Sequence, residues 1–451
     1  MPEVNTKTIS IERLKRFLDD LPATSTLFPD MPPGVAWSSS AKSASTDKYN
    51  TPVAVTLANG DTRLVCGTST NGPGGIIYSD DGGVTWNDSD KTTGTWSTPT
   101  VYTYSGLTRL VCAGSGGIIY STDRGATWSA SNITSSVPTG ITPNVTAFTW
   151  NDATRLISTD LIYSDDGGAT WNTSSSTGKW YAPTAFTWNG ATRLVSGSRV
   201  SDVASGIYGG VIYSDDGGAT WTKGNIITAM GDANVYEYFS PVAFEYNGAI
   251  RLISFCQEYG SSFIYSDNGG ATWRTAHVGV RGYYNVPTVF TWNGNVRLIA
   301  SPINKNFLPN KQVIYSDDGG ITWSNTGLPS SRWLPVTVFE YNNATYLITC
   351  DGVERDGATN PDMGIKYSSD GGITWNDSNE TTIRGAYGAT IFAFTFNNDT
   401  RLVFNSLSSG IKYSDTSVIL DTSDKSDDGK FVTRDFLKDT ISDLLTYLNN
   451  N

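Results

Sequence analysis

The chain has 451 residues, 16% of them charged and 12% aromatic, with a net charge of −12, four cysteines and one histidine. That acidity argues against a nucleic-acid partner, because phosphate binding relies on Lys and Arg. A lone His277 leaves almost no material for Ser-His-Asp catalysis or histidine metal sites, and no segment approaches the roughly 18 apolar residues of a membrane helix.

In chain order, the first expected element is a short amphipathic helix over residues 10–21. Ile11, Leu14, Phe17, Leu18 and Leu21 share one face, with Ser10 as cap. No apolar leader segment precedes it, so secretion through a signal peptide is not expected. A Pro-rich linker runs to residue 33. The string Gly34-Val-Ala-Trp37-Ser-Ser then follows.

From residue 50 the chain repeats itself. An aromatic-Ser-x-Asp/Asn-x-Gly-x-Thr-Trp segment occurs seven times, at 78–86, 120–128, 163–171, 213–221, 265–273, 315–323 and 367–375. A spacing of 42 to 52 residues with several short strands per unit indicates a propeller or array. The fourth repeat shows the unit. Pro183-Thr-Ala-Phe-Thr-Trp188 alternates and ends in the turn pair Asn189-Gly190. Thr192-Arg-Leu-Val-Ser196 is a second strand and Gly210-Val-Ile-Tyr-Ser214 a third. Asp215-Asp-Gly-Gly218 turns the chain, and Ala219-Thr-Trp221 is expected to open a fourth. Four antiparallel strands make one propeller blade.

In the segment itself, Ser and Asp side chains can bond turn N–H groups, Gly supplies positive φ, and Trp fills the wedge between blades. The segment resembles the Asp-box, or bacterial neuraminidase repeat, of sialidases and many non-enzymatic propellers. The resemblance covers most of residues 50–415, and Asn268 replaces the aspartate in one copy. An eighth repeat supplies three strands (389–396, 400–404, 410–414) but loses Gly and Trp. Gly34-Val-Ala-Trp37 matches Gly125-Ala-Thr-Trp128, so the N-terminal strand is expected to close the last blade. The expected fold is therefore all-β: an eight-bladed propeller over residues 34–418, with residues 1–33 and 419–451 outside it. The latter begins with an acidic linker and is expected to end in a second helix over 433–448. These terminal helices look like those of phage fibre and decoration proteins.

The cysteines are expected to be unbridged, buried thiols. Cys66 and Cys112 share a position with Ser158, Ser196, Ser254 and Ala300, which asks for a small side chain.

The resemblance implies a test for sialidase chemistry: an arginine triad, a Tyr–Glu pair, an Asp acid/base, an early aromatic-Arg-Ile-Pro string and six blades. Here the nearest string is Arg332-Trp-Leu-Pro335, late and imperfect, and the blade number differs. The repeated arginines (Arg63, Arg109, Arg155, Arg193, Arg251, Arg297, Arg401, with Tyr346 in the seventh repeat) are equivalent around a ring and cannot converge on one ligand. They are expected to bond blade backbone or a neighbouring Asp. The box carboxylates, on the outer rim in related propellers, are not expected to be catalytic, and no metal or other cofactor is expected. Loop carboxylates Asp232, Glu237, Glu258, Glu354 and Asp356 remain as the raw material for acid–base work.

Strand order places the second-to-third loops and the blade-to-blade loops on one face. These vary most in length, and function concentrates in such loops. Before the first strand several blades put a cation beside an aromatic: Lys48-Tyr49, Lys179-Trp180, Arg281-Gly-Tyr283, Arg332-Trp333 and Arg384-Gly-Ala-Tyr387. The candidate ligand-binding residues are Lys179, Trp180, Arg281, Tyr283, Arg332, Trp333, Arg384 and Tyr387; an open ring stacks on a sugar and a guanidinium binds hydroxyls or carboxylate. The expected function is a non-enzymatic structural or adhesive propeller of a virion, made in the host cytoplasm and displayed on the particle. It would recognise a cell-surface glycan or protein and attach to other virion proteins, or to copies of itself, through its terminal helices. A sialidase-like glycoside hydrolase and an intracellular assembly scaffold are the alternatives.

Overall fold

The structure, a computed structural model, describes residues 32–35, 37–42, 49–68, 74–134, 144–176, 178–198, 209–227, 237–257, 262–276, 284–302, 312–329, 331–352, 364–378, 390–406, 410–414, 417–418 and 432–433. Alternating apolar residues and Asn-Gly turns produce the expected blades. Blade 1 consists of Val53–Thr56, Thr62–Gly67, Ile76–Ser79 and Asn87–Asp88, paired in chain order and antiparallel. Blades 2, 4, 6 and 7 repeat this four-stranded pattern. With blades 3, 5 and 8 they make an eight-bladed β-propeller. First strands of neighbouring blades touch one another, so they line the axis, and fourth strands form the outer edge.

The fourth strand begins later than its sequence suggests. In blade 4 it is Thr222–Lys223, after Trp221, because the Thr-Trp pair is spent inside the turn. In blade 3 it shrinks to a single bridge, Tyr163 to Asn172. Blade 5 is larger than expected: Asn225–Ile227 adds a parallel strand outside Thr272–Thr275, and Glu237–Tyr238 pairs with the end of Ala249–Gln257.

Apolar side chains bury between blades rather than within them. One cluster joins Leu64, Ile77 and Trp86 of blade 1 to Phe394, Val403 and Ile411 of blade 8. Two belts of hydrogen bonds run across the same junctions. Near the axis, first-strand threonines donate to the next blade: Thr100 to Val145 O at 2.7 Å, Thr146 to Pro183 O at 2.6 Å and Thr288 to Val336 O at 2.8 Å. At the outer edge, backbone N–H groups of Asp90, Asn132, Ser175, Asn225 and Gly327 donate to the residue before Thr-Trp in the following blade.

Ring closure follows the expected route. Ser38–Ser39 pairs antiparallel with Gly410–Ser414 and completes blade 8. Gly34 N–H donates to Ser414 Oγ at 2.6 Å, and Trp37 Nε1 donates to Gly34 O at 2.9 Å. Blade 1 makes the same two bonds inside one hairpin, Gly83 N–H to Ser79 Oγ and Trp86 Nε1 to Gly83 O. Gly34 even shares the φ of +98° found at Gly83. The eighth box is thus assembled from segments 380 residues apart.

The propeller forms one compact unit over Pro33–Asp415, and residues 1–32 with 416–451 cluster separately. In that second unit Ser417–Val418 pairs with Val432–Thr433. Thr433 is therefore in a strand, not at the start of a helix; residues 10–21 and 434–448 lie outside the described residues. Trp37 is 3% exposed in the cluster joining blades 7 and 8. We predict that Trp37→Ala lowers unfolding free energy by about 3–5 kcal/mol, measured by urea denaturation. A change below 1 kcal/mol would show that closure does not depend on this strand.

Candidate functional site

The box turn is built by two side chains. In blade 1, Ser79 Oγ donates to Asp81 Oδ1 and accepts from Gly83 N–H, both at 2.8 Å. Asp81 in turn accepts from Thr85 N–H at 2.9 Å and from the Thr85 hydroxyl at 2.5 Å. The same bonds recur at Asp123, Asp166, Asp216, Asp318 and Asp370. Partial burial acts to raise these carboxyl pKa values. The Thr hydroxyl, Thr N–H and Ser hydroxyl outweigh it and hold all six below the usual aspartate range. In blade 5, Asn268 Oδ1 accepts from Thr272 N–H at 2.9 Å while its Nδ2 donates to the Thr272 hydroxyl at 2.8 Å.

The residue before that aspartate has a different task. Asp80, Asp165, Asp215, Asp267 and Asp317 each take two hydrogen bonds from the repeated arginine of their own blade. Arg193 reaches Asp215 with Nε and Nη2 at 2.6 Å each, and its Nη1 crosses to Gly269 O of blade 5 at 3.2 Å. Arg155, Arg251 and Arg297 make the corresponding three contacts, the third to Gly217, Gly319 and Gly371 of the next blade. Arg401 of blade 8 donates to Asp81 O and Gly82 O of blade 1. The guanidinium lies between aromatic rings: Arg193 Cζ is 5.6 Å from the Trp188 centroid and 4.7 Å from that of Tyr213. The arginines and box aspartates are therefore bonded into the scaffold, on the face that carries the Asn-Gly turns.

The opposite face carries the loops of variable length. Here Tyr49, Trp96, Trp180, Tyr238, Tyr284 and Trp333 occupy one repeated position before the first strand, each paired to the end of the second strand of its own blade. All are buried. Trp180 is 9% exposed and Trp333 1%, so neither offers an open ring for stacking. The position is a wedge between strands, and the cation beside it is not part of the pattern, since Trp96 follows Thr95. Blade 6 fills it with Tyr284, one residue beyond Tyr283. Lys179 is exposed and Arg332 half-buried. Arg281, Tyr283, Arg384 and Tyr387 lie outside the described residues, as do Asp232, Glu258, Glu354 and Asp356 and the side chain of Glu237.

Two features of this face were not evident from sequence. In five blades the second-strand position, held by Cys66, Cys112, Ser196, Ser254 and Thr349, supplies a donor, whereas Ser158, Ala300 and Phe404 make no such bond there. Each of the five side chains reaches the carbonyl that leads into the first strand: Asn50, Ser97, Tyr181, Phe239 and Leu334, in that order. The mixture of Cys, Ser and Thr was the available signal, obscured by Ala300. Burial pushes the Cys112 thiol up to about 12 and raises Cys66 further; neither they nor Cys350 form a disulfide. The second feature is Asp351, 2% exposed, which accepts from the Ser331 hydroxyl at 2.6 Å. Among the described residues no cluster of three or more His, Cys, Asp or Glu could hold a metal, and no helix is long and apolar enough to cross a membrane.

The model of the BNR/Asp-box repeat matches residues 77–88, 119–130, 162–173, 212–223 and 314–325. The copies containing Asn268 and Ser369 fall outside those segments. No curated protein matches the chain. Solved structures similar to it include a protein of unknown function from Dyadobacter fermentans, at 14% identity and TM-score 0.39, covering 86% of this chain and 98% of that one. An α-L-arabinanase from Penicillium chrysogenum is 12% identical with TM-score 0.40, over 75% of this chain and 100% of that one. A sialidase from Streptococcus pneumoniae is 12% identical with TM-score 0.33, over 88% and 71%. The chain carries BNR/Asp-box repeats on an eight-bladed propeller.

Because the six box aspartates titrate below their unfolded values, the stability they contribute is present above the unfolded pKa. It is lost as pH falls below about 4 through the folded values. Asn268 shows that an amide can make the same bonds. We predict that Asp216→Asn stays within about 0.5 kcal/mol of the parent at pH 7 and loses less stability on acidification. Asp216→Ala should cost about 1–2 kcal/mol at pH 7, both read by denaturant titration. An Asn variant as damaged as the Ala variant would show that charge, not hydrogen bonding, holds the turn.

Proposed function

We propose that the chain is a non-enzymatic recognition module whose variable-loop face binds a cell-surface glycan or protein. One observation carries this reading. The box aspartates that might suggest sialidase chemistry are bonded within their turns, and the arginines of blades 3 to 6 bond the aspartate preceding the box aspartate and the adjacent blade, all on the other face. The face with variable loops is held by buried wedges and backbone-directed donors, a rigid platform for segments of differing length. Lys179 and Arg332 place cationic groups there, suited to hydroxyl, carboxylate or sulfate acceptors. With Trp180 and Trp333 covered, contact through these cations replaces the ring stacking expected from sequence. We further propose that the module is displayed on a virion assembled in the host cytoplasm. Residues 10–21 and 434–448, with their amphipathic patterning, would attach it to other virion proteins or to copies of itself.

A glycan array run beside a fluorogenic sialoside assay tests the first proposal. We expect binding that weakens at least severalfold in Lys179→Glu or Arg332→Glu, with no turnover. Turnover abolished by Glu237→Gln or Glu258→Gln would instead establish a glycoside hydrolase. For attachment, the number of chains per particle in solution, or incorporation into virions, should fall when residues 1–33 or 420–451 are deleted. An unchanged oligomeric state together with unchanged incorporation would refute it.

A further inference from the structure

Blade 2 departs from its siblings at one contact. The residue that should face its arginine is Thr122, where blades 1, 3, 4, 5 and 6 have Asp80, Asp165, Asp215, Asp267 and Asp317. Arg109 nonetheless keeps the sibling pose. Its Cζ lies 4.7 Å from the Tyr104 ring centroid, and its Nη1 reaches so close to the blade 3 turn that a Cβ on Gly167 would lie 2.7 Å from it. Sibling arginines take up their aspartates through Nε and Nη2 at 2.6 to 3.0 Å. Arg109 Nε is closed off from solvent and has no hydrogen-bond partner. A charged donor left without an acceptor is unfavourable, and a carboxylate satisfies both edge N–H groups of a guanidinium at once.

Blade 7 gives the contrast. There the aspartate is replaced by Ser369 and the arginine by Tyr346, whose ring stacks on Phe339 at 5.7 Å between centroids. When both partners go, an aromatic pair fills the junction; in blade 2 only the acid has gone. The neighbouring aspartates are 42% to 57% exposed, so this edge of the turn opens to solvent, and the Thr122 side chain is itself exposed. Arg124 adds a second cation to the same hairpin. It sits at φ +62° where other turns have Gly, and its Nε is anchored to Thr56 O of blade 1 at 2.9 Å.

We propose that Arg109 and Thr122 form a carboxylate-binding site on the rim of blade 2, taking from outside the group that the other blades supply themselves. Thr122 takes the place in the repeat that the siblings give to an aspartate, so a carboxylate entering there from outside would meet Nε and Nη2 as Asp165 and Asp267 do. The ligand is a single carboxylate, either a free small anion or an acidic side chain of a partner protein. This site lies on the face opposite the variable loops, so it stands or falls independently of glycan recognition.

The test follows the Arg109 Nε–H resonance of the full chain by NMR, assigned through its loss in Arg109→Lys. Two probes are added at constant ionic strength, sodium formate and a capped Gly-Asp-Gly peptide, with chloride as reference. We expect a saturable shift with formate. In Thr122→Asp the resonance should already sit at the shifted position, and formate affinity should fall roughly tenfold or more. A peptide shift as well would identify a partner's acidic side chain as a ligand; formate alone would restrict the site to free anions. A resonance that neither probe moves, or that moves equally in the parent and Thr122→Asp, overturns the proposal.

Discussion

Blades 3, 4, 5 and 6 each grip their successor through one guanidinium. The arginine is fixed from its own blade by two bonds to an aspartate, wedged by aromatic rings, and reaches a carbonyl across the junction; Arg401 makes the same crossing from blade 8 to blade 1. This contact explains several sequence rules together. The first glycine of the box is needed because its carbonyl must be approached closely. At Gly217, a Cβ would come within 2.8 Å of Arg155 Nη1 and 2.6 Å of the Trp150 ring. The aromatic before the turn and the aromatic ending the first strand recur because they hold the cation in place. The aspartates are more than two-fifths exposed, so each pair contributes modestly; repetition around the ring and coupling to apolar burial make the belt effective.

Closure uses the same parts. The eighth turn draws its serine from Ser414 and its glycine and tryptophan from Gly34 and Trp37, so the chain ends are joined by a box cut in two. Closure covers Gly410–Ser414 and leaves the two-residue strand Ser38–Ser39 as the outer edge of the closing blade, a short edge that offers little to pair with. Blade 5 treats its outer edge differently, covering Thr272–Thr275 with the parallel segment Asn225–Ile227.

Repetition made the fold legible. Alternation, Asn-Gly turns and seven tryptophans specify strand order, and the missing Gly and Trp after Ser414 point to Trp37 as the closing residue. The parallel strand in blade 5 was not legible, because Asn225-Ile-Ile carries no periodicity and pairs with a segment far along the chain. The site was less readable still. Lys-Trp and Arg-Trp pairs look like exposed recognition elements, yet Trp180 and Trp333 are wedges, two of six buried aromatics that plug the start of the first strand among the described residues. A side chain's neighbours in the ring decide its exposure, and dipeptides do not encode them. Conversely, the blade 2 exception was present in the sequence as Thr122 opposite a retained arginine. Its meaning required the Arg109 pose.

The account rests on the arginine belt being structural. The most direct measurement is a denaturant double-mutant cycle on Arg193→Gln and Asp215→Asn. Each single change should lower stability by about 1–2 kcal/mol, and the double change should cost clearly less than their sum. Single variants as stable as the parent, with additive null effects, would contradict a belt that holds the blades together.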